Sequence, residues 1–374
     1  MKTHFLKYTH DAGFSCELPK VSSDSIWILI FGGYKYESDQ RVFHTLRQNY
    51  PNAVIAGCSS SGEILDDQLY DDTLIISVVE FDHVCVQYAS VDIQDYPDSY
   101  QAGLALTKKI SQSELKACFV LSDGLQINGA EMVAGINQGL SEGVAVTGGM
   151  AADQHRFEST WVIDENDKPR PGVISMVALY GGLKVNHASN GGWQTFGPDR
   201  LVTRSAGNVL YELDNKPFLA LYKEYLGDLA EQLPAIALRF PLELYKPGED
   251  KCLVRTVLDI DEHEQSMTFA GDVPQGYTAR LMQASVDQLI DGAASAASAI
   301  KGRCDGDELC VAISCTGRRM VMGEDTEEEL DAVLNELPAG IRQIGFYSYG
   351  ELSPYLEGRC DLHNETMTLT TFSE

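Results

Sequence analysis

One layout recurs three times along this chain and restricts what it can become. Each time an apolar run, a glycine-bearing turn, a helix-like stretch, a second apolar run and a glycine loop follow one another. The first instance begins at "IWILIF", turns at "GGYKYES", continues through "DQRVFHTLRQNY" and returns at "NAVIAG". The second begins at "ACFVLS", turns at "DGLQING", runs through "AEMVAGINQGL" and returns at "VAVTGGMAAD". The third begins at "LCVAIS", turns at "CTGRRMVMGED", runs through "TEEELDAVLNEL" and returns at "IRQIGFYSYGE". Ile30 to Gly57 and Leu121 to Gly148 each span 27 positions, and Ile313 to Gly345 spans 32. Strands that flank a helix in this way predict parallel pairs with right-handed crossovers. Their loops then gather on one sheet edge, where ligands sit in open α/β sheets.

The segments between the units read as strands. "DTLIISVVEF" with "HVCVQYASV", and "ESTWVID" with "GVISMVALYGGLKVNHA", are expected as hairpins. Further strands are expected at "AIALRFPL", "CLVRTVLDI" and "SMTFAG", and one long helix over "YTARLMQASVDQLIDGAASAASAI". A chain of 374 residues is long enough for two cores. The expected fold is α/β with α+β mixture: a two-domain sandwich of mixed sheets with flanking helices, built from strand-helix-strand units. A turn cluster at Asn215 to Pro217 divides it into an extension at 1–25, a first domain at 26–215 and a second at 216–374.

A net charge of -27 without a Lys/Arg run excludes nucleic acid and anionic lipid as partners. The longest apolar stretch falls far short of the roughly 20 residues of a membrane helix, and no signal peptide is legible at the start. A cytoplasmic location is therefore expected. The nine cysteines are scattered without zinc spacing, which predicts free, mostly buried thiols.

Two of the glycine loops share a skeleton: "GCSSSGEI" at 57–64 and "GFYSYGEL" at 345–352. A nucleophile elbow needs G-x-S-x-G, and here four residues separate the glycines. A phosphate loop needs a lysine after its last glycine, where this chain has Glu63. The loops are read instead as walls of a ligand region. Expected contributors are Cys58, Ser60, Gly62 and Glu63 from the first loop, Gly149 and Asp153 from "GGMAAD", and Tyr347, Tyr349 and Glu351 from the third. Arg318 and Arg319 are expected to pair with these glutamates or with a ligand carboxylate.

No histidine pair has metal spacing among His4, His10, His44, His83, His155, His187, His263 and His363. A single histidine holds a haem iron where an apolar pocket and cations for the propionates are supplied. His187 has Arg200 and Arg204 near it in sequence, and His363 has Tyr355 and Arg359.

Long stretches including "GCSSSGEI", "LSDGLQING", "GGWQTFGPDRLVTRS", "FAGDVPQGYTARLM", "SCTGRRMVMG" and "LHNETMTLT" resemble the FIST sensor proteins, from about residue 26 to the C-terminus. The resemblance implies a FIST N-terminal domain followed by a FIST C-terminal domain. It implies a signal-input sensor without catalytic activity, similar in its stand-alone form to the branch that binds haem b and nitric oxide and regulates a histidine kinase. On that reading His187, or alternatively His363, ligates the iron, with Arg200, Arg204, Arg318 or Arg319 meeting propionates. The alternative is a haem-independent module for a small, amino-acid-like metabolite. A third reading is a hydrolase using Cys58, Cys315 or a serine. Expected partners are a histidine kinase or other output protein, nitric oxide or a small metabolite, and a second copy in a homodimer.

Overall fold

A strand covered on both faces has no polar alternation to keep, so unbroken apolar runs such as Ser25–Gly32 belong at the middle of a layered structure. The computed structural model describes residues 1–154, 156–249, 252–304, 308–355 and 358–374. His155 lies outside the described residues. The class is the expected mixed α/β one, with several mixed sheets.

The three repeats are three parallel strand pairs: Ser25–Gly32 with Val54–Ser59, Leu115–Ser122 with Ala145–Met150, and Leu309–Cys315 with Arg342–Ser348. Crossover helices Gln40–Asn49, Gly129–Gly139 and Thr326–Glu336 connect them. Each pair gains a third, antiparallel strand: Leu74–Phe81, Val173–Tyr180 and Met367–Ser373. A fourth lies beyond it: Lys2–Thr9, Cys85–Asp92 and Lys184–Asn190.

After its second parallel strand the chain leaves its own sheet and completes a different one. Glu63–Leu65 pairs with Arg342–Ser348, Val162–Ile163 with Val54–Ser59, and Gly350–Pro354 with Ala145–Met150. The three sheets are therefore linked in a ring, and the Met1 ammonium closes it 3.2 Å from the Glu374 carboxylate. Their inner faces share one core. Phe31 stacks on Phe346 at 4.5 Å, and Trp27 meets Phe119 at 5.4 Å and Phe372 at 5.5 Å, each contact joining two repeats. No helix among the described residues is long and apolar enough to cross a membrane.

A fourth sheet is inserted in the third repeat, in the order Cys252–Arg255, Leu242–Tyr245, Thr278–Gln283, Gln194–Ala206, Val209–Leu213, Ser266–Phe269, Val257–Asp261. The expected division near residue 216 falls inside it, where Val209–Leu213 pairs with Lys216–Pro217.

Five local expectations are corrected. Leu74–Phe81 and Cys85–Asp92 do not form a hairpin with each other, and neither do Val162–Ile163 and Val173–Tyr180. Each short connection carries the chain from one sheet to the next, because each strand finds its apolar partner in a different repeat. "CTGRRMVMGED" begins as a helix, Thr316–Met322, rather than a turn, with the Cys315 thiol accepting the Gly317 N–H. "AIALRFPL" is a tight helical turn at Ala235–Arg239 before the strand Leu242–Tyr245. The long helix is shorter than its pattern: Thr278–Gln283 is a strand, and a Ser285–Gln288 capping box starts the helix Val286–Lys301.

Candidate functional site

The ring of sheets brings the three glycine loops into direct contact. The Ser61 N–H donates to the Tyr347 carbonyl at 2.8 Å, and the Tyr347 N–H to the Gly62 carbonyl at 2.9 Å. The Tyr349 N–H reaches the Met150 carbonyl at 3.2 Å, and the Ala152 N–H the Ser59 carbonyl at 3.0 Å. Loops that the sequence placed on one edge are thus bonded to one another across the repeats.

The carboxyls of these loops are clasps. Glu63 accepts the Ser60 hydroxyl and, at 3.2 Å, the Thr73 N–H. Glu351 accepts the Ser348 hydroxyl at 2.7 Å, the Thr366 hydroxyl at 3.0 Å and the Thr366 N–H at 3.3 Å. The second repeat makes the same clasp with Asp123, which accepts the Thr160 hydroxyl at 2.8 Å and the Gly172 N–H at 3.0 Å. In each case the backbone donor lies immediately before the third strand of its repeat. Asp153 accepts the N–H groups of Phe157, Glu158 and Ser159 together with the Tyr349 hydroxyl.

Burial pushes Glu351 up to about 8, against the hydrogen bonds of Ser348 and Thr366. Burial likewise pushes Glu365 up to about 7, against Thr256 and the Arg318 charge. Unfolded, such carboxyls lose their protons near pH 4.5. Between that value and the folded one, the native state holds protons that the unfolded state has released. Stability is therefore fully kept below about pH 4.5 and falls as the pH climbs toward 8. Denaturant unfolding measured across this range is expected to show that decline, and Glu351→Gln to flatten it. An unchanged slope in the variant would remove Glu351 as its source.

The arginines are placed as structure. Arg318 is fully buried, 2.7 Å from Glu329, with further bonds to the carbonyls of Gly191 at 2.6 Å and Leu289 at 2.8 Å. Tyr347 joins the same carboxylate at 2.6 Å. Arg319 pairs with Asp71 at 2.7 Å and with the Ser61 carbonyl, against Gly62. Cys58 lies in the shared core with its thiol pushed up by burial, and Gly149 packs on Ile313 and Phe346.

A cavity of about 410 Å3 opens where the strand ends at Ser122, Met150, Cys315 and Ser348 meet the inserted sheet. The second repeat contributes Gly124 to Gly129 and Phe157, the third contributes Cys315 to Gly317, Met320, Ser348 and Tyr349, and the inserted sheet contributes Thr256, Leu258 and Phe269 to Gly271. Six large apolar side chains stay exposed among the described residues, and four of them, Leu125, Phe157, Leu258 and Met320, line this cavity. Among the described residues, no Asp, Glu, Lys, Arg or His lines it. Of the residues expected at a site from the sequence, Tyr349 and the candidate nucleophile Cys315 line it. Arg319 lines an adjoining cavity of about 440 Å3 with Asp71, Gln154, Met320 and Gly323.

The FIST N domain model matches residues 27–216, and the FIST C domain model matches residues 219–354. The chain belongs to the FIST family. FIST domains are signal-transduction sensor modules that bind small ligands and are associated with signalling output partners. An uncharacterised protein of Methanocaldococcus jannaschii is 23% identical, with 88% of this chain and 70% of that protein covered. Among solved structures, the cyanuric acid hydrolase from A. caulinodans matches at 8% identity and a TM-score of 0.36, covering 99% of this chain and 98% of that one. That neighbour is an enzyme, which corrects the expectation that the chain is not one. At that TM-score the likeness carries no argument for any particular activity.

The residues named for haem in this FIST chain are not brought together. His187 sits opposite Thr370 in the third repeat's sheet, its ring pushed toward neutrality by burial and by Arg303. It lines a separate cavity of about 310 Å3 with Asn137, Glu142 and Arg359. His363 belongs to the second repeat's sheet, with Nε2 3.0 Å from the Ser353 carbonyl. Arg200 bonds Tyr225 at 2.8 Å and Asp214 at 3.0 Å in the inserted sheet, and Arg204 bonds Glu212 at 2.9 Å. Four residues spread over three sheets do not supply an axial ligand and propionate cations to one apolar pocket. No group of three or more His, Cys, Asp or Glu among the described residues is placed to hold a metal ion.

Proposed function

We propose that this FIST chain is a sensor whose small ligand occupies the 410 Å3 cavity and bridges the ring of sheets to the inserted sheet. The observation that carries this is the gathering of Leu125, Phe157, Leu258 and Met320, otherwise unsheltered apolar side chains, around one opening. The wall has two parts: loop ends of the second and third repeats on one side, and Thr256, Leu258 and Phe269 on the other. A ligand that touches both favours one seating of the inserted sheet over others. Its occupancy then shifts that population and changes the surface offered to a separate signalling protein. The residues of the haem reading are dispersed over three sheets, and the guanidinium of Arg318 is committed to Glu329.

A thermal-shift screen of small metabolites tests this, run in parallel on Leu258→Trp. Leu258 is 47% exposed, so the larger ring is expected to fill the cavity at little cost to the fold. A true ligand raises the melting temperature of the native chain and leaves the variant unmoved. A ligand that stabilises both equally binds elsewhere and sinks the assignment.

A further inference from the structure

The hydrogen-bond directions in the cavity say what kind of molecule suits it, on the reading that the cavity is the ligand site. Four hydroxyls line it, and the proton of each is already given to the protein. Thr316 donates to the Ser348 carbonyl at 2.9 Å. Tyr349 donates to the Gln154 carbonyl at 2.8 Å and to Asp153. Thr256 donates to Glu365 at 2.8 Å, and Ser348 to Glu351 at 2.7 Å. Four backbone donors of the rim are spent as well. Gly124 donates to Thr160, and Leu125 and Gln126 donate to Asp123. Gly317 donates to the Cys315 sulfur. What the hydroxyls have left to offer is lone pairs.

Charge points the same way. Behind Gly317 lies the fully buried Glu365, whose Oε2 has no hydrogen-bond partner and whose Oε1 would be 2.4 Å from a Cβ at that glycine. Behind Ser348 lies Glu351, also fully buried. Behind the wall the charge of Arg318 reaches Glu365 but is committed to Glu329, while Arg255 lies under Gly271, with its Nε and Nη1 given to the carbonyls of Asp272, Val254 and Leu362. It directs a cationic group away from that wall and toward the Gly317 and Ser348 side. Phe157 stacks on Tyr349 at 4.7 Å with an angle of 8°, which sets an aromatic face at the rim.

We propose that the cavity takes a small organic ammonium, with its three N–H donors on the oxygens of Thr256, Thr316 and Tyr349 and an apolar group against Phe157 and Leu258. A carboxylate meets acceptors at these hydroxyls, with the side-chain amides of Gln126, Asn128 and Asn208 elsewhere in the lining, so the ammonium belongs on the hydroxyl side.

The test is calorimetric titration of the full chain at about pH 8.5, above the values of Glu351 and Glu365, with three probes of similar shape: 2-phenylethylammonium, 2-phenylethanol and 3-phenylpropanoate. The ammonium is expected to bind most tightly and the carboxylate not at all. Thr256→Val is expected to weaken the ammonium about tenfold, the worth of a hydrogen bond to a charged group. Phe157→Ala, at a 53% exposed position, is expected to weaken it without lowering the melting temperature. Binding of the carboxylate or alcohol as tight as that of the ammonium, and lost in Leu258→Trp, overturns the donor requirement while leaving the cavity as the site. Failure of all three probes overturns the ammonium proposal together with the cavity assignment. Ammonium binding unchanged in both Thr256→Val and Phe157→Ala overturns the placement.

Discussion

Glu329→Ala is expected to destabilise the fold by about 3–5 kcal/mol, the loss that follows when one partner of a buried ion pair is removed. Arg318 and Glu329 are both fully buried, and the carboxylate takes more than the guanidinium. It also accepts the Ser314 hydroxyl at 2.9 Å and the Tyr347 hydroxyl at 2.6 Å. Alanine leaves a buried cation and two hydroxyls short of an acceptor at the junction of the third repeat's helices and strands. Arg318→Met combined with Glu329→Leu is expected to lose less than the single variant, because no charge is then stranded. Denaturant unfolding separates the two outcomes. A ligand-clamping role for Arg318 makes the opposite forecast: near-native stability in Arg318→Met with ligand affinity abolished. That result would return Arg318 to the site.

The contrast shows which parts of the site the sequence could and could not convey. The three parallel pairs were legible because an apolar run, a helix and a second apolar run carry their meaning locally. The convergence of the glycine loops followed from that geometry. The partner of each strand was not legible. Leu74–Phe81 and Cys85–Asp92 have the local pattern of a hairpin, and only the shared core of Trp27, Phe119 and Phe372 sends them to different sheets. Glu63 and Glu351 stand out in the sequence as a matching pair, but their use as clasps depends on Thr73 and Thr366, which precede distant strands. Asp123 performs the same task from a different position in its repeat, so no motif alignment reveals it. The cavity residues carried the weakest signal. Leu125 and Thr316 lie in turns that were noted for their glycines, whereas Thr256 and Leu258 read as ordinary strand residues until the inserted sheet folds over the loops.

Gly345→Ala is expected to cost more than about 3 kcal/mol, at the upper end of what overpacking a close contact does. A Cβ there falls 1.7 Å from the Ala312 carbonyl oxygen, across the parallel pair. Gly57 and Gly148 occupy the same place in the other repeats, with a Cβ 2.3 Å from the Ile30 oxygen and 1.8 Å from the Val120 oxygen. The obstacle is backbone in all three cases, so no side chain can turn aside to relieve it. Gly148 carries a second penalty, since its φ of 143° disfavours an L side chain even in open space. The expected order of loss therefore sets Gly148→Ala at or beyond Gly345→Ala, with Gly57→Ala the mildest. Gly182→Ala, which meets nothing within 4 Å, is the control and is expected to stay near the native stability. The loss follows from how the repeats close on one another. Each glycine sits where the second parallel strand is pressed against the first just before the chain crosses to the next sheet. If Gly345→Ala unfolds at the same denaturant concentration as Gly182→Ala, the strands are not pressed together there, and the tight ring of loops that forms the cavity floor loses its physical basis.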